Sequence, residues 1–137
     1  MKAPEDRSWP VVLYVDDDAE DRMLMVDAIQ MVDPRYQLVG VNDSNQAFRY
    51  LNHCRSSLPG LIILDLNLPG MAGIGIIDKL QQDKIFGSIP IVVFTTSASP
   101  ADQIACARYN VDMITKPISF SILTDTVKKL LSYCKEI

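Results

Sequence analysis

Three short runs are apolar at every position: VVLYV at residues 11–15, LIIL at 61–64 and IVVF at 91–94. A strand with one face in water alternates polar and apolar residues. A strand that is solidly apolar has to be buried on both faces, as in a parallel sheet sandwiched between helices. Tyr36–Val41 and Val111–Thr115 are weaker strand candidates of similar length. Segments of helical spacing separate the five. Residues 19–32 carry Met23, Val26, Ile29 and Gln30 near one stripe, with Leu24, Ala28 and Met31 beside it, and Asp33-Pro34 stops that helix. Asn42, Asp43 and Ser44 offer capping chemistry ahead of Ala47, Phe48 and Leu51. Pro69 to Gly75 reads as a loop with three glycines, and Ile76, Ile77 and Leu80 as a helix ending near Gly87. Ser99-Pro100 opens a further helix through Tyr109. Leu123, Val127, Leu130, Leu131 and Cys134 mark the last, which starts near Ser119. The order is β-α five times over. It predicts an α/β fold, a doubly wound five-stranded parallel sheet with helices on both faces, and one domain over residues 1–137.

The bulk chemistry excludes several classes. The 137 residues carry a formal net charge of −4 and no Lys/Arg cluster beyond Lys128-Lys129, which argues against nucleic-acid binding. No apolar run approaches the ~20 residues of a membrane span. The opening MKAPEDRSWP lacks the apolar core of a signal peptide. Cys54, Cys106 and Cys134 form no CxxC pair and read as reduced thiols, so the expected location is the cytoplasm. His53 reads as a surface residue, Trp9 as packing at the lower edge of the sheet, and Met23, Met25 and Met31 as core or partner-facing packing.

Ligands of open α/β sheets sit beyond the carboxyl ends of the strands. Four of the five predicted strands end in reactive groups: Asp16 and Asp17, Asp65, Thr95, and Lys116 followed by Pro117. In a parallel sheet those ends share one rim. Three carboxylates there repel one another, and one lysine cannot neutralise them. A divalent cation can, and hard oxygen ligands without His or Cys favour Mg²⁺. A carboxylate can itself be a nucleophile in phosphoryl transfer. With the cation, Lys116 and the Thr95 hydroxyl each holding one phosphoryl oxygen, Asp65 would accept phosphate.

The stretches VLYVDDD, LIILDLNLPGMAG, IPIVVFTTS and MITKPI together resemble the response-regulator receiver domain of two-component signalling, over about residues 10–134. The resemblance implies a flavodoxin-like strand order, 2-1-3-4-5. By position, Asp65 matches the phosphoacceptor. Asp16 and Asp17 match the acidic pair that binds Mg²⁺, Asp17 directly and Asp16 largely through water, and Asn67 would add its backbone carbonyl. Thr95 matches the switch hydroxyl and Lys116 the site lysine, whose bond to Pro117 is usually cis in this family. Met113 stands where an aromatic switch residue is common, which puts the usual aromatic toggle in doubt. Ala72 replaces a common Asp or Asn, and Gly75 adds a glycine that weakens the next helix by up to ~1 kcal/mol.

LDLNLPGM with VVFTTS is similar to the single-domain cyanobacterial phytochrome-regulator subgroup, which implies a phytochrome kinase as donor. The function implied is a stand-alone response regulator, a signalling phosphoacceptor and not an enzyme, that assists its own phosphotransfer and dephosphorylation. A sensor histidine kinase would donate to Asp65, and the face formed by residues 100–131 would shift. Output would then be a downstream protein target, a phosphotransfer protein of a phosphorelay, or a homodimer. Three rivals fit less well. A haloacid-dehalogenase-type phosphatase needs an Asp where Asn67 stands. A flavodoxin-like nucleotide binder needs a phosphate loop where three Asp residues stand. A docking-only receiver needs none of these site residues.

Overall fold

The structure, a computed structural model, describes residues 10–68, 73–96 and 99–135. Five strands, β1 (Val11–Val15), β2 (Gln37–Val41), β3 (Leu61–Leu64), β4 (Ile91–Thr95) and β5 (Asp112–Thr115), alternate with α1 (Ala19–Val32), α2 (Ser44–His53), α3 (Gly73–Gln82), α4 (Pro100–Arg108) and α5 (Phe120–Leu131). The strands form one all-parallel sheet in the order β2-β1-β3-β4-β5, as expected from the sequence.

The period of two along each strand sorts side chains to two cores. Leu13, Val15, Ile62, Leu64 and Val93 face Ala47, Leu51, Ile76, Ile77, Leu80 and Cys106 of α2, α3 and α4. Val12, Tyr14, Leu61, Ile63, Val92 and Phe94 face Met25, Ala28 and Ile29 of α1 and Leu123, Val127, Leu130 and Leu131 of α5. This explains the solid runs: β1 and β3 sit inside the sheet, and neither face can tolerate a polar residue. The edge strands β2 and β5 are only partly buried and read less clearly.

Helix starts follow local chemistry. The carboxylate of Asp18 accepts from the backbone N–H of Glu20 and Asp21, that of Asp43 from Gln46, and the hydroxyls of Ser99 and Ser119 from Asp102 and Ile122. Asn110, at φ 57°, turns the chain out of α4 into β5, a left-handed position that Asn tolerates better than most residues.

Four expectations need correction. On α1 the buried residues are Met25, Ala28 and Ile29, while Met23 and Met31 are 68% and 69% exposed and Leu24 and Val26 are exposed too. The helix is apolar on several sides, so its composition leaves the phase open. The Asp18 cap and the docking against β1 and α5 set it. Gly73 and Gly75, expected in a loop, belong instead to α3 (Gly73–Gln82). That helix ends at Gln82 rather than near Gly87. Asp83 accepts from the N–H groups of Ile85 and Phe86 and starts a separate 3₁₀ turn, Phe86–Ser88. Finally, the Lys116–Pro117 bond is trans, like every peptide bond among the described residues. A prolyl bond prefers trans by only ~0.5–1 kcal/mol, and here the lysine reaches its partners from the trans form. Trp9 and Ala72 lie outside the described residues. His53 is exposed at the end of α2, as expected.

Candidate phosphoacceptor and metal site

Each site residue is placed by the strand it follows. The Asp16 N–H donates to Val41 O (3.1 Å) and the Asp65 N–H to Val15 O (3.0 Å), so both aspartates extend the ladder one step past β1 and β3. Thr95 is the last residue of β4, and its carbonyl accepts the Lys116 N–H at 2.9 Å. The sheet thus fixes four backbones on one rim before any side chain interacts.

The side chains converge. Asp16 is fully buried, Asp65 is 5% exposed and Asp17 is exposed. Each offers one carboxylate oxygen, and the three oxygens lie within 4.8 Å of one another. The Lys116 ammonium donates to Asp16 Oδ2 (2.7 Å), Asp21 Oδ2 (2.8 Å) and Asp65 Oδ2 (3.0 Å). An ammonium has three N–H bonds, and all three are used. Asp16 Oδ2 also accepts the Tyr14 hydroxyl at 2.6 Å, and Asp16 Oδ1 accepts the Asp18 N–H at 2.9 Å. Asp65 Oδ1 accepts the Asn67 N–H at 3.1 Å, and the Asn67 side-chain amide reaches Thr95 Oγ1 at 3.4 Å. Thr95 is fully buried and is tied to the segment after β3 through this amide. Met113 lies back from the rim, paired in register with Val93 and packed on the core beneath α3 and α4.

Burial alone would lower the Lys116 pKa. The bonds to Asp16, Asp21 and Asp65 outweigh it, so the pKa is raised above 10.5 and the ammonium stays charged at neutral pH. Burial, then the bond to Asp16, raises the Tyr14 phenol, which therefore remains a donor. Three carboxylates meet the Lys116 ammonium, and a fourth, that of Asp17, lies beside those of Asp16 and Asp65. Arg22 gives its Nη1 to the Asp16 carbonyl at 2.6 Å rather than to a carboxylate. This acid excess and its all-oxygen donor set fit a hard divalent cation.

Glycine is required at position 73, close to Asp65 in space. A Cβ on Gly73 would lie 2.7 Å from Leu66 Cα and 3.2 Å from Asp65 O, so the start of α3 can approach the Asp65-Leu66 backbone only without a side chain.

The structure brings together Asp16, Asp17, Asp65 and Lys116 directly, and Thr95 through Asn67. Sequence reasoning missed Tyr14, Asp21 and Arg22. A tyrosine inside a buried strand carries a hydroxyl that needs a partner, and that signal was available at Tyr14. Asp21 and Arg22 fall in the first turn of α1, where charged residues ordinarily face water.

A parallel sheet that gathers acids from β1 and β3 with a lysine from the end of β5 defines a class of α/β signalling domain, and comparison with known proteins agrees. The response regulator receiver domain model matches residues 12–128. The chain belongs to that family, and is a phosphoacceptor-type signalling receiver of two-component systems. It is 30% identical over 131 residues to the response regulator Rcp1 of Synechocystis, covering 92% of this chain and 89% of Rcp1. It is 29% identical to the Escherichia coli transcriptional regulatory protein BaeR, of which it spans 52%. Among solved structures, it is similar to the phosphorylated cyanobacterial phytochrome response regulator RcpA, with a TM-score of 0.82, 29% identity and 91% and 93% of the two chains covered. The Mn²⁺-bound form of Rcp1 gives 0.76 at 30% identity, over 90% and 92%. Divalent-metal binding by this family agrees with the acid cluster found here. No helix among the described residues is long and apolar enough to cross a membrane.

Proposed function

We propose that Asp65 is the phosphoacceptor and that residues 1–137, with a core of about 10–134, work as one receiver unit in the cytoplasm. The observation that carries this reading is the convergence of Asp16, Asp17 and Asp65 beside the Lys116 ammonium. Asp65 attacks the phosphorus of a phosphohistidine on a sensor histidine kinase. A P–O bond forms, the P–N bond breaks and the imidazole leaves. Lys116 and Thr95 hold phosphoryl oxygens as charge redistributes. Asp17, Asp65 and the Asn67 carbonyl would hold Mg²⁺, with Asp16 largely through water. When bound, Mg²⁺ supplies charge neutralisation at the transferring oxygens.

The same groups would assist hydrolysis of the acyl phosphate. Movement of Thr95 toward the phosphoryl group would shift the face formed by residues 100–131, with Met113 filling space in place of an aromatic toggle. The output is a protein contact: a downstream target, a phosphotransfer protein or a second copy of the chain. Similarity to the cyanobacterial phytochrome response regulator RcpA supports a phytochrome-type kinase as donor.

Acetyl phosphate with Mg²⁺ tests this reading. Intact-mass measurement is expected to show one added phosphoryl group, released by hydroxylamine and not acquired without divalent metal. No mass gain would leave only the docking-only reading.

A further inference from the structure

We propose that Asp21 is a positioning residue that holds the Lys116 ammonium while a cation takes over its other partners, and so sets the cation affinity of the site. This rests on the reading of Asp65 as acceptor with a divalent cation beside it. Two of the three Lys116 bonds go to Asp16 and Asp65, which belong to the acid group that would meet the cation. The third goes to Asp21 Oδ2 at 2.8 Å, outside that group. A cation and the ammonium therefore compete for the same two carboxylates.

Asp21 relieves the competition. It reaches the ammonium from the first turn of α1, a separate element from the strand ends. Its side chain is 31% exposed, against 9% for Lys116, so it approaches from the solvent side. Its own N–H is held by the Asp18 carboxylate at 3.2 Å, which fixes the turn that presents it. With Asp21 in place, the ammonium can release Asp16 and Asp65 without losing every anionic partner. Without that charge, the ammonium leans entirely on those two acids and a cation must displace it. The ordinary alternative is that Asp21 is only a first-turn acid favoured by the helix dipole. Glu20 is the control for this, since it occupies the same turn and is exposed.

The test is Mg²⁺ titration of the full chain, followed by the amide NMR shifts of Asp65 and Asn67. Asp21→Asn is expected to weaken Mg²⁺ binding about tenfold, the low end for groups that hold a metal site from outside. Asp21→Glu is expected to restore most of it, and Glu20→Gln to leave it within about twofold, as expected for an exposed charge. In a Lys116→Met background, Asp21→Asn is expected to have little further effect, because its partner is gone. At saturating Mg²⁺, Asp21→Asn is expected to bind BeF₃⁻ at least as tightly as the wild-type chain, since the ammonium is then free to turn toward the fluorides.

Equal weakening by Glu20→Gln would overturn the proposal in favour of a general field. Persistence of the Asp21→Asn effect in the Lys116→Met background would overturn it in favour of direct action on the cation. Parallel loss of Mg²⁺ and BeF₃⁻ binding would reduce Asp21 to a structural role. A wild-type chain that binds no Mg²⁺ would overturn the proposed function itself, and this proposal with it, whereas normal wild-type binding with an unchanged Asp21→Asn overturns only the role of Asp21.

Discussion

Asp65→Asn is expected to take up no phosphoryl group from acetyl phosphate and Mg²⁺ under conditions that label the wild-type chain. The amide has nearly the shape of the carboxylate but no anionic oxygen to attack phosphorus, so the loss is of chemistry rather than of fold. The Asn67 N–H, which donates to Asp65 Oδ1 at 3.1 Å, still finds a carbonyl oxygen there. Lys116 keeps Asp16 and Asp21. One of several mutually repelling acids is also gone, so the thermal midpoint is expected to hold or rise. Intact mass and a melting curve on the same sample check both statements. Labelling that persists in Asp65→Asn would move the acceptor to another residue.

Lys116→Met is expected to destabilise the protein by about 3 kcal/mol in the presence of EDTA, because removing one partner leaves buried charge uncompensated. For a chain of this size that is a fall in Tm of roughly 10 °C. Methionine keeps the bulk of the lysine stem and removes the ammonium that Asp16, Asp21 and Asp65 share. Asp16, with no exposed surface, keeps only the Tyr14 hydroxyl and the Asp18 N–H as donors to its carboxylate. Mg²⁺ is expected to recover part of the deficit, since a ligand that binds the native site stabilises it by mass action.

The pH dependence has a definite sign. The Lys116 pKa is raised in the folded protein, so its contribution is fully present below the unfolded value of 10.5 and is lost as pH rises through the folded value. The gap between Lys116→Met and wild type is therefore expected to be level across neutral pH and to close only in strong alkali. Denaturant melts at several pH values measure it. Equal stability of the two chains in EDTA would mean that the lysine does not carry the charge balance of the rim.

The legibility of this chain tracks burial. β1 and β3 are identifiable to the residue because both of their faces are covered, and the sequence has no polar position to blur the run. β4 extends one residue past its apolar run, to Thr95, and that residue is buried for the site rather than for the core. The edge strands start one residue later than expected, where a half-exposed ladder leaves little pattern.

The acids, the threonine and the lysine were legible because a parallel sheet sends every strand end to one rim. Tyr14 was hidden by its own apolarity, since it counts as core until its hydroxyl is asked for a partner. Asp21 was hidden by the phase of α1. A buried stripe through Met23, Val26 and Ile29 carries no place for it. The observed stripe of Met25, Ala28 and Ile29 continues one turn back to Asp21, at i, i+4, i+7 and i+8, and so points that carboxylate toward the sheet end. One error of phase thus concealed both the exposed methionines and the third partner of Lys116.

The most direct test is a crystal structure of the chain with Mg²⁺ and BeF₃⁻, in which the beryllofluoride stands in for a phosphoryl group. The expected density has BeF₃⁻ on an Asp65 oxygen, the cation between the Asp17 and Asp65 carboxylates, and the Lys116 ammonium and Thr95 hydroxyl each against a fluoride. Beryllofluoride on any other residue, or a cation bound away from Asp16, Asp17 and Asp65, would contradict the assignment of the rim.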